Sequence, residues 1–486
     1  MKHYLPVFAV LGGVLMLFAL TMAVPLAFAW LGHDAGLAAY LNAIAVTFTC
    51  GALLFFACRG RAGRELQPRD GFLLVTLVWT VLPAFGALPL MFHIQGLSFT
   101  DAYFEAVSGL TTTGATVLTG LDTLPTSVNV WRCFMVLLGG MGILVLAVAI
   151  LPLLGVGGSQ IFKAETPGPM KDEKLTPRIA ETARGLWAVY FAISLVCFLA
   201  YRVAGMGWAD AFMHMCSTMG LGGFSSYDAS FGQFNSPAIE AVAVFFMMVA
   251  GVNFALYFVA WRRRSLRALW RNAEVRAFFV VLVTAVLGVA LFLTAHGVYP
   301  TFIESLRHAA FNVVSVATTT GFASVDYALW PAFAPVLMLF LCCFATCAGS
   351  TGGGVKMVRA LLLLKQAQRE LTRIVHPRAV APVTLGGAVV SPQVLQSVLA
   401  FMLIYGGVVV GGMLLLLASG LDMVSAFTAM VACINNTGPG LGQVGPAANY
   451  QGLTDFQTWV CSITMLLGRL ELFAVLVLFT PVFWRR

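Results

Sequence analysis

The 486-residue chain is 60% hydrophobic and only 10% charged, with a mean hydropathy of +0.90. A water-soluble domain carries about 25% charged residues, so this composition excludes one. The formal charge of +8 resides in basic clusters between apolar runs, which reports membrane topology rather than a nucleic-acid-binding surface.

Ten apolar runs are long enough to cross a hydrocarbon core of roughly 30 Å, which takes about 20 helical residues each. They run on rather than alternate, so the predicted fold class is an all-α polytopic membrane protein and not a barrel. The first run, 5–30, follows Lys2 and passes Ala27-Phe28-Ala29. It is too long for the apolar core of a signal peptide, and a second run follows at 37–58, so it reads as a retained helix. These two helices form the segment 1–70.

A pattern then recurs four times: a span, a short amphipathic segment, a Thr/Gly-rich turn and another span. In 71–160 the spans are 71–93 and 128–155, the short segment is 101–110 and the turn is TTTGAT at 111–116. In 161–272 they are 185–205 and 237–261, with 208–219 and GLGGFS at 220–225. In 273–378 they are 275–297 and 331–373, with 304–317 and TTTGFA at 318–323. In 379–486 they are 393–418 and 455–484, with 422–434 and NNTGPG at 435–440. Aligning the turns superposes Gly114, Gly223, Gly321 and Gly438, spaced by 109, 98 and 117 residues. Ser108, Ser217 and Ser315 lie six residues ahead of the first three, with Ala432 in the fourth. Four matches in step predict four helix–pore loop–helix repeats around one pore.

Of the 28 Lys and Arg residues, 24 fall at the amino terminus, 59–69, 163–184, 262–276, 356–378 and Arg485–Arg486. With ten crossings these share one face, which places both termini in the cytoplasm. The ten cysteines show no metal-ligand spacing and read as small packing residues.

The short segments suit re-entrant half-helices. Asp101, Asp210, Glu304 and Asp422 open them, where a helix amino terminus favours negative charge. Their carboxyl ends then carry partial negative charge into the membrane centre, which suits a dehydrated cation. Replacing a hydration shell takes several backbone carbonyls around one axis; glycine permits the required dihedrals and threonine adds hydroxyl oxygens. No carboxylate lies within a turn, so a monovalent cation fits better than a divalent one. The expected filter is therefore Thr111, Thr112, Thr113 and Gly114; Gly220, Leu221, Gly222 and Gly223; Thr318, Thr319, Thr320 and Gly321; and Asn435, Asn436, Thr437 and Gly438.

Two features read as gating elements. The run at 331–373 is interrupted at 347–354, with Gly349, Ser350, Thr351, Gly352, Gly353 and Gly354 placed to obstruct a pore; a packing kink is the alternative. Its likeness to a nucleotide-binding loop fails for want of a Gly-Lys-Ser/Thr ending. Arg469, with Glu471 two residues on, places a cation in the last span, either as a barrier facing the pore or in an interhelical salt bridge.

With these residues in hand, the chain resembles the Trk/Ktr/HKT superfamily of potassium transporters, and most closely its bacterial TrkH-type branch. Beyond the four turns, the resemblance rests on LGGMGILVLAVAILPLLGVGG at 138–158, AETPGPMKDEKLTPRIAETA at 164–183, CAGSTGGGVK at 347–356 and GRLELF at 468–473. It implies a pseudo-fourfold pore in the bacterial inner membrane, potassium as the transported ion and no covalent cofactor. It further implies a homodimer and control by a cytosolic nucleotide-binding (NAD or ATP) ring protein of the TrkA type. In this resemblance Gly114, rather than Ser, implies potassium over sodium, 347–354 is the intramembrane gating loop and Arg469 is the arginine below the filter. Leu221-Gly222-Gly223 and Asn436-Thr437-Gly438 depart from Thr-Thr-Gly and imply an asymmetric filter. An ion-coupled symporter and an organic-solute carrier are the alternative functions; no HExxH, GxSxG or paired membrane aspartates point to an enzyme.

Overall fold

The computed structural model describes residues 4–59, 67–149 and 175–485. The motif residues 150–158 and 164–174 and most of the basic stretch at 163–184 lie outside the described residues.

Apolar periodicity and local caps produce an almost wholly helical chain. The amino-terminal pair consists of α1 (Leu5–Thr21) continuing into α2 (Ala23–Gly32), and α3 (Leu37–Arg59). Gly12 and Gly51 let α1 and α3 touch backbone to backbone: a Cβ on Gly12 would lie 2.7 Å from Gly51 O. Next come α4 (Pro68–Gly86), α5 (Leu88–His93), the short α6 (Phe99–Leu110) and α7 (Thr126–Ala149). They are followed by α8 (Leu175–Val203), the short α9 (Trp208–Gly220), α10 (Pro237–Ala250), α11 (Phe254–Arg263) and α12 (Arg267–Arg271). The third set is α13 (Ala273–Ala295), the short α14 (Phe302–Ala317), α15 (Phe333–Cys342) and α16 (Met357–Val375). A hairpin of two-residue strands, Thr384–Leu385 with Ala388–Val389, leads to α17 (Pro392–Ala418), the short α18 (Met423–Asn435) and α19 (Asp455–Arg469). The chain closes with α20 (Phe473–Leu476) and α21 (Pro481–Trp484).

The four short helices fall where the amphipathic segments are expected, and side chains start three of them. Ser98, Thr301 and Asp422 accept the backbone N–H of Asp101, Glu304 and Ser425, satisfying donors that a helix start leaves open. At the exposed start of α18, that N–H holds the Asp422 carboxyl below its ordinary value, keeping the charge where the helix end favours it.

Among the described residues, seven stretches are long and apolar enough to span a membrane, and nine if two bent pairs each count as one. Neither bend is legible in the run lengths. The 237–261 run turns by 88° between α10 and α11, and the 455–484 run by 104° between α19 and α20. The 331–373 run breaks as expected, but its apolar part, α15, is only 10 residues long. Leu17, Phe56, Val203 and Leu403 are exposed, as on a surface that faces lipid rather than water. The buried core surrounds the short helices: Phe104 and Val107 of α6, Met215 and Met219 of α9, Val313 and Ala317 of α14, and Ala429 and Cys433 of α18.

Candidate functional site

Each short helix ends in the same backbone manoeuvre. The N–H of Thr113, Gly222, Thr320 and Thr437 returns to the carbonyl of Ser108, Ser217, Ser315 and Ala432, at 2.8, 2.9, 2.8 and 2.9 Å. The recurring residue six ahead of each glycine is therefore the acceptor that closes its helix, which is why alanine serves in the fourth turn. Dihedrals then alternate. Thr112, Leu221, Thr319 and Asn436 have φ of 55°, 54°, 61° and 53°, and Gly114, Gly223, Gly321 and Gly438 have φ of 82°, 67°, 85° and 89°. The residues between them keep ordinary φ. Such alternation turns successive carbonyls the same way, and only glycine accepts the second left-handed position without strain.

The four turns meet in cyclic order. A Cβ on Gly114 would collide with Gly222 O, one on Gly223 with Thr320 O, one on Gly321 with Thr437 O, and one on Gly438 would approach Thr113 O at 2.7 Å. Four equivalent carbonyl oxygens thus each abut the glycine of a neighbouring turn, and the sequence of contacts closes on itself. All sixteen expected residues are brought together, the threonines and asparagines fully buried. Thr111 and Thr113 share a hydroxyl hydrogen bond of 2.7 Å, and Thr318 and Thr320 one of 2.8 Å. The second turn has no such pair. In the fourth, Asn436 Nδ2 donates to Thr113 Oγ1 at 3.0 Å and so ties the last turn to the first.

Behind each turn a polar side chain of the short helix grips the strand that follows the glycine. Glu105 accepts from Val117 N at 3.1 Å, Asn312 from Ser324 N at 3.2 Å and Thr428 from Leu441 N at 2.9 Å. In the second turn His214 Nε2 meets Ser225 Oγ at 3.0 Å. The first grip is an ion pair: Arg132 Nε lies 2.7 Å from Glu105 Oε1 with both side chains fully buried. Arg132 also donates to Ser225 O at 3.1 Å and stacks over Phe224 at 4.4 Å, joining the first turn to the second. Tyr450 donates to Gly438 O at 2.8 Å, so the carbonyl of the fourth turn's glycine is pinned by a hydroxyl twelve residues further along the same repeat. Sequence reasoning missed these supports. Arg132 is one of the four Lys and Arg residues that lie outside the basic clusters, whereas nothing local marks Tyr450.

The interrupted stretch folds as a loop against the carboxyl ends of the short helices. Thr351 Oγ1 donates to Met219 O at 2.9 Å, Gly353 N donates to Thr319 Oγ1 at 2.9 Å, and the α-carbon of Gly353 abuts Asn435 O. Ser350 turns back to Cys347 O at 2.7 Å, and Gly349 O accepts from Phe254 N at 3.0 Å. The bend at 251–253 thus docks on the loop, and Cys347 N completes the pairing on Gly251 O at 3.0 Å. Gly352 and Gly354 complete the segment, and Lys356 bonds to Gly352 O.

Arg469 holds this loop directly. Its Nη1 donates to Thr351 O at 2.8 Å and its Nη2 to Gly139 O at 3.2 Å, and it forms no ion pair among the described residues. The interhelical salt bridge expected as the alternative role of Arg469 is not found among the described residues, and Glu471 pairs instead with Arg359 of α16 at 2.5 Å. The 104° bend separates the two side chains, because Glu471 and Leu472 take φ of 53° and 57° immediately after α19 ends. A small cavity between Gly352, Gly353, Asn436, Arg469 and Glu471 lies beneath the ring. Among the described residues no group of three or more His, Cys, Asp or Glu side chains is arranged to hold a metal ion. What the ring presents is uncharged oxygen, a ligand type that suits a monovalent cation.

Comparison with known proteins agrees with this chemistry. The family described as TrkH, cation transport protein, matches residues 37–485. The chain is 46% identical over 484 residues to the Trk system potassium uptake protein TrkH of Salmonella typhimurium, covering 99% of this chain and 100% of that one. It is 38% identical over 476 residues to the Trk system potassium uptake protein TrkG of Escherichia coli, covering 98% and 97%. The structure aligns with the crystal structure of the potassium transporter TrkH from Vibrio parahaemolyticus over all of both chains, with a TM-score of 0.92 and 43% identity.

Proposed function

The chain belongs to the TrkH family of cation transport proteins, which are not enzymes, and from that premise we propose that it carries potassium into the cell through the ring of four turns. The observation that carries this reading is the cyclic contact of Gly114, Gly223, Gly321 and Gly438 with the carbonyls of their neighbours. Four oxygens around one axis replace the hydration of a large monovalent ion, and the helix ends behind them add negative potential.

In this reading ten crossings arrange four helix–pore loop–helix repeats, 71–160, 161–272, 273–378 and 379–486, about a pseudo-fourfold axis, with 1–70 outside them. Both termini are cytoplasmic and the membrane is the bacterial inner membrane. The loop 349–354 and Arg469 form the gate, because the loop is bonded to the ring at Thr319 and Arg469 is bonded to the loop at Thr351 O. Conduction is channel-like and driven by the membrane potential, worth about 2.3 kcal/mol per charge per 100 mV. A cytosolic nucleotide-binding ring protein opens the gate, and two copies of the chain form a homodimer. A ring built of backbone oxygen favours this over an organic-solute carrier, which needs side chains shaped to its solute.

The test is uptake of radiolabelled rubidium into liposomes holding the purified protein, under a negative-inside potential and with sodium or lithium competing. Saturable uptake that prefers rubidium and potassium over sodium, without a proton gradient, is the expected result. Silence of a folded protein even with its cytosolic partner present refutes it.

A further inference from the structure

The intramembrane loop is held from below as well as from above, by a residue outside the filter, the loop and Arg469. Glu274, in the first turn of α13 and 8% exposed, accepts two backbone N–H groups on the same Oε1: Ala348 at 2.7 Å and Val358 at 3.1 Å. Ala348 immediately precedes the loop glycines, and Val358 is the second residue of α16. One carboxylate oxygen therefore ties together the entry and the exit of the loop. Val358 N would otherwise be buried without an acceptor, since a helix start leaves its first N–H groups open. The remaining links across the base are backbone bonds, Val355 N to Cys343 O at 2.6 Å and Met357 N to Thr346 O at 2.8 Å. Glu274 adds a side chain from α13 to these links.

From this geometry we infer that Glu274 is the positioning residue that sets the closed state of the gate, and that the amino-terminal end of α13 is the element whose movement releases the loop. The inference rests on the reading of 349–354 as the gate. Opening separates Ala348 from Val358 or lifts both off the carboxylate, and either breaks charge-assisted bonds in a buried setting. The position of Glu274 is fixed by Asn272, whose Oδ1 accepts Val275 N at 3.0 Å and starts α13. Immediately before it runs the exposed arginine segment Arg262, Arg263, Arg264, Arg267 and Arg271. A force applied to that segment from the cytoplasm therefore reaches the base of the loop through a single turn of helix. Glu274 touches no permeating ion, so its effect is on opening and not on selectivity.

The test compares Glu274→Ala and Glu274→Gln in the full chain, by rubidium uptake into liposomes without the cytosolic partner. Glu274→Ala is expected to raise basal uptake about tenfold, the scale of a lost charged hydrogen bond. Glu274→Gln, which keeps a neutral oxygen acceptor, should raise it less. The rubidium-to-sodium ratio should stay at its native value in both. Amide hydrogen exchange should accelerate across 347–358 in Glu274→Ala and remain unchanged at 111–114. Native uptake with native protection of 347–358 overturns the inference, as does a change in the rubidium-to-sodium ratio. Should Glu274→Ala not fold, Glu274→Gln decides by the same two readouts. A variant lacking residues 350–353 separates the two readings. If it raises uptake and the Glu274 variants do not, the role of Glu274 falls alone; if neither raises uptake, the gate reading falls with it.

Discussion

Replacing Gly114 with serine perturbs the ring at a single carbonyl. Gly114 has φ of 82°, and its missing Cβ would occupy the space taken by Gly222 O of the next turn. A left-handed conformation costs an L-residue about 1–2 kcal/mol, and forcing atoms into packed space costs roughly 1–3 kcal/mol more. The turn is buried and bonded on both sides, through Thr113 N to Ser108 O and Gly222 N to Ser217 O, so the strain falls on the Gly222 carbonyl. In the proposed function that oxygen is one of the four that line the path of the ion. If its displacement removes about 1.4 kcal/mol from the preference for potassium, discrimination against sodium falls tenfold. Parallel uptake of radiolabelled rubidium and sodium in liposomes measures the ratio directly. Gly114→Ala serves as control: an equal loss assigns the effect to the β-carbon, a smaller one to the hydroxyl. A folded Gly114→Ser protein with the native ratio would refute the assignment of Gly222 O to the ring.

Other perturbations probe the supports. Arg469→Ala removes the bonds to Thr351 O and Gly139 O together with a cation beneath the ring, so basal rubidium uptake should rise about tenfold. Arg469→Lys cannot bridge both carbonyls and should fall between the two in the same assay. Arg132→Ala leaves Glu105 buried and charged, a loss of roughly 3–5 kcal/mol, and should lower the thermal unfolding midpoint of the detergent-solubilised protein by more than Arg202→Ala. Tyr450→Phe frees Gly438 O from its hydroxyl and is expected to change rubidium-over-sodium preference less than threefold, with no change in basal uptake; a rise in basal uptake would place Tyr450 in the gate.

The class of the fold and the location of the turns were legible in the chain itself. Length, apolar run and starting residue identify a half-helix locally, and the four short helices begin within two residues of where 101, 208, 304 and 422 place them. Glycine is equally legible, because its freedom at positive φ is a property of the residue and not of its neighbours. The break at 347–354 was visible for the same reason: three consecutive glycines do not continue a helix. What the sequence alone could not decide is how separate segments answer one another. The bends at 251–253 and 470–472 form because the loop offers Gly349 O and α16 offers Arg359 as partners, and neither lies near them in sequence. Glu471 sits two residues from Arg469, yet binds 112 residues away, since a 104° turn outweighs proximity along the chain. Glu274, Arg132 and Tyr450 acquire their roles only when buried polar groups are matched to acceptors across the fold. A buried hydrogen bond is specified by where both partners end up, and that is a property of the packed molecule rather than of any local stretch of its sequence.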